Sequence, residues 1–136
     1  MEDLEYFKRL AISSDLGGLK ECIDLAKDID LSLGLDSDKG FAVQTVILEA
    51  ANNAITHGNK LNKDLETIIT VKVNSEKIFI EIEDQGEGFD LMKVPSPVEK
   101  GNIGLENGRG IFFIKKFSDS FNTIGKGNIV NIIINR

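Results

Sequence analysis

Apolar residues along the chain switch between two spacings. Leu16, Leu19, Cys22, Ile23, Ala26 and Ile29 recur at the interval of a helix, behind candidate N-caps at Ser13, Ser14 and Asp15 and ahead of Gly34. A second helix is capped by Asp36 or Ser37 and runs to about His57, with Gly58 at the C′ position that glycine favours. Residues 67–73 and 77–83 alternate with a period of two, as half-buried strands do, around a turn at Asn74-Ser75-Glu76. Residues 4–13 read as a first strand. A third helix starts near Gly108 and carries Ile111, Phe112, Ile114 and Phe117. Residues 120–124 and 128–135 form a last hairpin about Gly125-Lys126-Gly127. The order β-α-α-β-β-loop-α-β-β predicts an α+β fold, with helices on one face of a mostly antiparallel sheet.

The second helix is unusually apolar. Val43, Val46, Ile47, Ala50, Ala51 and Ala54 form one broad face, and Phe41, Leu48 and Ile55 add a second strip. A helix of this kind should be largely buried. Its polar stripe is Thr45, Glu49, Asn52, Asn53 and Thr56, and a carboxylate there needs a partner or a ligand.

Glu49 and Asn53 lie one turn apart, about 6 Å along the axis. The amide oxygen suits Mg²⁺, and the carboxylate suits a base; a solvated helix face is the plainer alternative. His57, the single histidine, extends the same side. It is a base, a phosphate contact, or a cap on the last carbonyls of its helix. Asp84-Gln85-Gly86-Glu87-Gly88 closes a strand: Asp84 can accept from an exocyclic amine such as that of adenine, and the glycines permit close approach of a flat ligand. An ordinary β-turn would use the same residues. Gly108-Arg109-Gly110 opens a helix whose free N–H groups suit phosphates, or is a glycine cap with a surface arginine. Residues 91–107, with Pro95 and Pro97, read as a long aperiodic loop of the kind that is usually functional or mobile.

Composition narrows the choice. The 136 residues are one domain's worth, 41% hydrophobic and 28% charged. A net charge of −6 with no Lys/Arg block disfavours nucleic-acid partners. One cysteine, Cys22, excludes an internal disulfide framework and suits a reducing compartment and a core position. No apolar run is long enough to span a membrane, and MEDLEYFKRL lacks the apolar core of a signal peptide, so a cytoplasmic location is expected. Walker A, Rossmann and nucleophile-elbow motifs are missing.

The segments EAANNAITHGN, IEIEDQGEGFD and ENGRGIFFIKKFSD resemble the N, G1 and G2 boxes of the GHKL ATPase superfamily, from about residue 36 to 135. The chain is most similar to stand-alone anti-sigma factor serine/threonine kinases of the RsbW/SpoIIAB type. The resemblance implies a Bergerat-type two-layer α/β sandwich filling residues 1–136 as one ATP-binding domain, with a lid at about 91–107. It implies Glu49 as general base, Asn53 as Mg²⁺ ligand, Asp84 on the adenine amine, Gly86 and Gly88 shaping the base pocket, and Gly104, Gly108, Arg109 and Gly110 along the phosphates. ATP and Mg²⁺ would be the cofactors. The partners would be a STAS-domain anti-sigma factor antagonist as substrate, a sigma factor, and a second copy in a homodimer. Two rival readings are a nucleotide-binding switch that transfers nothing, and an ATPase or histidine kinase-like subunit of a larger signalling complex. The family often has threonine after the glycine of its last strand, where this chain has Asn128 and Ile129.

Overall fold

The structure, a computed structural model, describes residues 3–88 and 106–136, with 106–110 as backbone alone. The expected lid and Gly104 fall largely or wholly outside the described residues. Five strands, β1 (Tyr6–Ser13), β2 (Glu66–Val73), β3 (Lys77–Asp84), β4 (Ser120–Ile124) and β5 (Ile129–Asn135), form one sheet in the order β1-β2-β3-β5-β4. Every pairing is antiparallel. Three helices, α1 (Leu16–Leu33), α2 (Ser37–Asn53) and α3 (Glu106–Phe117), cover one face. The fold is α+β, a two-layer sandwich, as its alternating pattern requires.

The register explains the layers. Strand β3 alternates strictly, with Ile78, Ile80, Ile82 and Asp84 buried. Across the sheet Ile78 aligns with Val73 and Ile134, Ile80 with Val71 and Ile132, and Ile82 with Ile69 and Val130. These rows meet Cys22, Leu25 and Ile29 of α1, Val43, Val46, Ile47 and Ala50 of α2, and Ile111 and Ile114 of α3. Cys22 is fully buried, and burial pushes its thiol up to about 12.

Helix ends follow their capping chemistry. The Asp15 carboxylate accepts from Gly18 N at 3.1 Å, and that of Asp36 accepts from Lys39 N at 2.8 Å. Gly34 closes α1 in the left-handed region. The end of the second helix departs from the expected pattern. Regular α-helix stops at Asn53, and a π-type turn, Ala54–Gly58, follows, closed by Asn59 N donating to Ala54 O at 2.7 Å. Gly58 is therefore not a left-handed C′ residue; the positive φ angles fall instead at Lys60 and Leu61. Phe41 also departs from a fully buried α2: it is 60% exposed and packs edge-on against Phe117. Helix α3 begins at Glu106, two residues before Gly108, so Gly108-Arg109-Gly110 lies inside the helix rather than opening it.

Candidate nucleotide site

Asp84 ends the core-facing series of β3 at a position where the other rows carry isoleucine. Its row holds Ile12 and Thr67, and the carboxylate is 2% exposed. Burial pushes its pKa up, partly offset by the Gly86 N–H and by the charge of Lys126. Oδ1 accepts from Gly86 N at 2.9 Å. Oδ2 has no hydrogen-bond donor among the described residues, so it can accept one from a ligand. The strand end is fixed from the β5 side: Asp84 N donates to Asn128 O, and Asn128 Nδ2 donates to Asp84 O at 3.3 Å. Asn128 thus secures the strand that carries Asp84 through main-chain contacts.

The glycines around Asp84 are set by close packing. A Cβ on Gly58 would lie 2.3 Å from Asp84 Cγ, and one on Gly86 would lie 1.9 Å from Gly58 O. At Gly88, which has φ +92°, a Cβ would lie 1.9 Å from Lys126 O. The close approach at Gly86 and Gly88 is made by the protein's own backbone.

On α2, Glu49 is half-buried and Asn53 is 1% exposed. Neither Oδ1 nor Nδ2 of Asn53 has a hydrogen-bond partner among the described residues. A buried amide without partners costs about 1–3 kcal/mol. That cost is met when a ligand or ion supplies the missing contacts. The amide is a hard oxygen donor, and Mg²⁺ is held by few protein ligands together with substrate phosphates and water. Among the described residues no group of three or more His, Cys, Asp or Glu could hold a metal ion by itself, so Asn53 fits a shared ion better than a protein cage. His57 lies in the π turn, half-buried, and burial lowers its pKa.

The fold thus brings the π turn that follows α2 and the end of β3 together through the Gly58–Asp84 contact. Gly108, Arg109 and Gly110 sit in the first turns of α3. Asn59 was not singled out by sequence reasoning. It is 1% exposed and joins four segments: its Nδ2 donates to Ser14 Oγ, Glu66 O and Thr67 Oγ1, and its Oδ1 accepts from Gln85 N. Its only sequence signal was a third asparagine, just past a helix that already ends in Asn52 and Asn53. Away from this region, a groove of about 650 Å³ crosses the uncovered face of the sheet, lined by Phe7, Arg9, Lys72, Phe79 and Glu81 among others. No helix among the described residues is long and apolar enough to cross a membrane.

Comparison with known proteins identifies the family. Residues 12–134 match the histidine kinase-like ATPase domain family. The anti-sigma F factor of Clostridium botulinum (strain Eklund 17B / Type B) is 30% identical over 117 residues, 85% of this chain and 72% of that protein. The anti-sigma F factor of Clostridium beijerinckii is 27% identical over 135 residues, covering 97% and 85%. That of Bacillus subtilis (strain 168) is 27% identical over 117 residues, covering 85% and 70%. The chain therefore belongs to the histidine kinase-like ATPase family and is similar to the anti-sigma F factors.

Proposed function

We propose that this protein is an anti-sigma factor kinase that transfers the γ-phosphoryl group of ATP to a Ser or Thr hydroxyl of a STAS-domain antagonist and holds a sigma factor. The observation that carries this reading is the buried amide of Asn53, without a hydrogen-bond partner among the described residues and four residues after a carboxylate. Asp84 Oδ2 would accept from the adenine amine. The first turn of α3, with Arg109, would lie along the phosphates. Asn53 would hold Mg²⁺, which neutralises phosphate charge when bound.

In the transfer step, Glu49 takes the proton from the attacking hydroxyl. The new bond joins that oxygen to the γ-phosphorus, the bond from the γ-phosphorus to the bridging oxygen breaks, and ADP leaves with the electron pair. The sigma factor partner is supported by the relatives' name. A homodimer would use the sheet face opposite the helices, whose groove is lined by side chains of both charges, Arg9, Lys72 and Glu81.

Incubation with Mg·ATP and STAS-domain proteins of the same genome tests the activity, read as phosphoserine or phosphothreonine on one of them. Modification supports a kinase. Nucleotide binding with no modified STAS protein supports a switch that holds nucleotide and transfers nothing.

A further inference from the structure

Asn59 lies immediately after Gly58, the glycine whose backbone abuts the Asp84 carboxylate. Its side chain uses both ends. The Nδ2 amide anchors to three acceptors in the scaffold, Ser14 Oγ at 2.9 Å, Glu66 O at 3.0 Å and Thr67 Oγ1 at 3.2 Å. The Oδ1 atom takes the N–H of Gln85 at 2.8 Å. Ser14 is tied on by its hydroxyl, which donates to Leu65 O at 2.8 Å, and the Gln85 side chain returns to Glu66 N at 2.6 Å. Gln85 is the residue between Asp84 and Gly86. Its orientation sets whether the Gly86 N–H reaches Asp84 Oδ1, which in turn leaves Oδ2 for a ligand.

We propose that Asn59 is a positioning residue for adenine recognition: by holding the Gln85 N–H it fixes the Asp84–Gly86 turn so that one carboxylate oxygen is spent on Gly86 and the other faces the base. This rests on the reading of Asp84 as the adenine acceptor. A base lacking the exocyclic amine at that edge, such as guanine, presents a carbonyl to Oδ2 and is rejected only while the carboxylate is held in place. If Asn59 is lost, Gln85 N is free to turn, the carboxylate gains freedom, and discrimination between the two bases falls.

The test is the ratio of dissociation constants for GTP and ATP, measured by calorimetry alongside melting temperature. In Asn59→Ala the ratio is expected to fall at least tenfold. Ser14→Ala removes one scaffold anchor of the same network but leaves the Gln85 contact; it is expected to lower the melting temperature while holding the ratio within twofold. Asn59→Asp keeps an acceptor for Gln85 N and can accept from the Thr67 hydroxyl, while the Glu66 carbonyl loses its donor, so it is expected to lower the melting temperature yet recover most of the ratio. An unchanged ratio in Asn59→Ala, or an equal fall in Ser14→Ala, overturns the proposal. If Asn59→Ala does not fold, Asn59→Asp and amide exchange decide: a slowly exchanging Gln85 amide in the unmodified protein supports the role, and exchange at open-loop rates overturns it. An unmodified protein that does not prefer ATP to GTP overturns the adenine reading and this role with it. A preserved preference with no effect at Asn59 overturns this role alone.

Discussion

Replacing Gly58 with alanine tests the packing that joins α2 to the end of β3. The added methyl would lie 2.3, 2.4 and 2.8 Å from Cγ, Oδ2 and Oδ1 of Asp84. Asp84 has little room to yield: it is buried, paired with Thr67 across β2, and bonded to Asn128 at both its N–H and its carbonyl. Overpacking costs about 1–3 kcal/mol, and disturbing the charge-assisted bond from Gly86 adds about 1 kcal/mol or more. The sum, about 2–4 kcal/mol, is a large part of a domain's stability without exceeding it. With an unfolding entropy of roughly 0.3 kcal/mol per degree for a chain of this size, the melting temperature should fall by roughly 7–14 °C. ATP affinity should fall at least tenfold, because the displaced carboxylate no longer meets the base. Gly40→Ala supplies the contrast. Its methyl would meet only the tip of the flexible Asp30 side chain, at 3.1 Å, and a helical position gains about 0.5–1 kcal/mol from alanine. That variant should melt roughly 2–3 °C higher. Equal melting temperatures and equal ATP affinities for Gly58→Ala and the unmodified protein would refute the argument.

Two further substitutions separate binding from chemistry and charge from shape. Glu49→Gln should bind ATP within about threefold of the unmodified protein yet transfer phosphate on the order of a hundredfold more slowly, in a single-turnover assay; an unchanged rate removes Glu49 as the base. Asp84→Asn should weaken ATP binding by roughly 10–150-fold, the equivalent of about 1.5–3 kcal/mol for a hydrogen bond to a charged group. It should also melt higher than the unmodified protein at neutral pH. The folded-state pKa of Asp84 is raised by burial, so its contribution favours folding at pH below the ordinary carboxylate value and is lost as pH rises through the folded value. The gap in melting temperature should therefore close as pH falls toward 4, and a gap independent of pH would contradict this sign.

Much of the fold was legible because its periodicities are clean. The strict alternation of residues 77–84 and the apolar faces of α1 and α2 fixed the layers. The alternation expected from sequence stops at Glu83; carried one residue further, it puts Asp84 on the core side with Ile78, Ile80 and Ile82, where the structure has it. What the pattern could not carry was tertiary. Gly58 looked like a helix terminator because glycine serves that role so often, whereas its real constraint is a carboxylate 26 residues away in sequence. The π turn has no compositional signature and shifts Asn59 into contact with β2 and the loop after β3. Asn59 itself gave little signal because its four partners come from three other segments of the chain. Phe41 fitted an apolar strip by spacing, but α2 is covered there only in part by α3.

The most direct test of the site is a calorimetric titration of ATP into the unmodified protein and into Asn53→Ala, each with Mg²⁺ and with excess chelator. The account predicts that Mg²⁺ strengthens ATP binding at least tenfold in the unmodified protein. In Asn53→Ala that increment should be lost, while the nucleotide-free variant melts no lower, since it no longer buries an unpartnered amide. The same Mg²⁺ increment in both proteins, or no ATP binding by the unmodified chain, would contradict it.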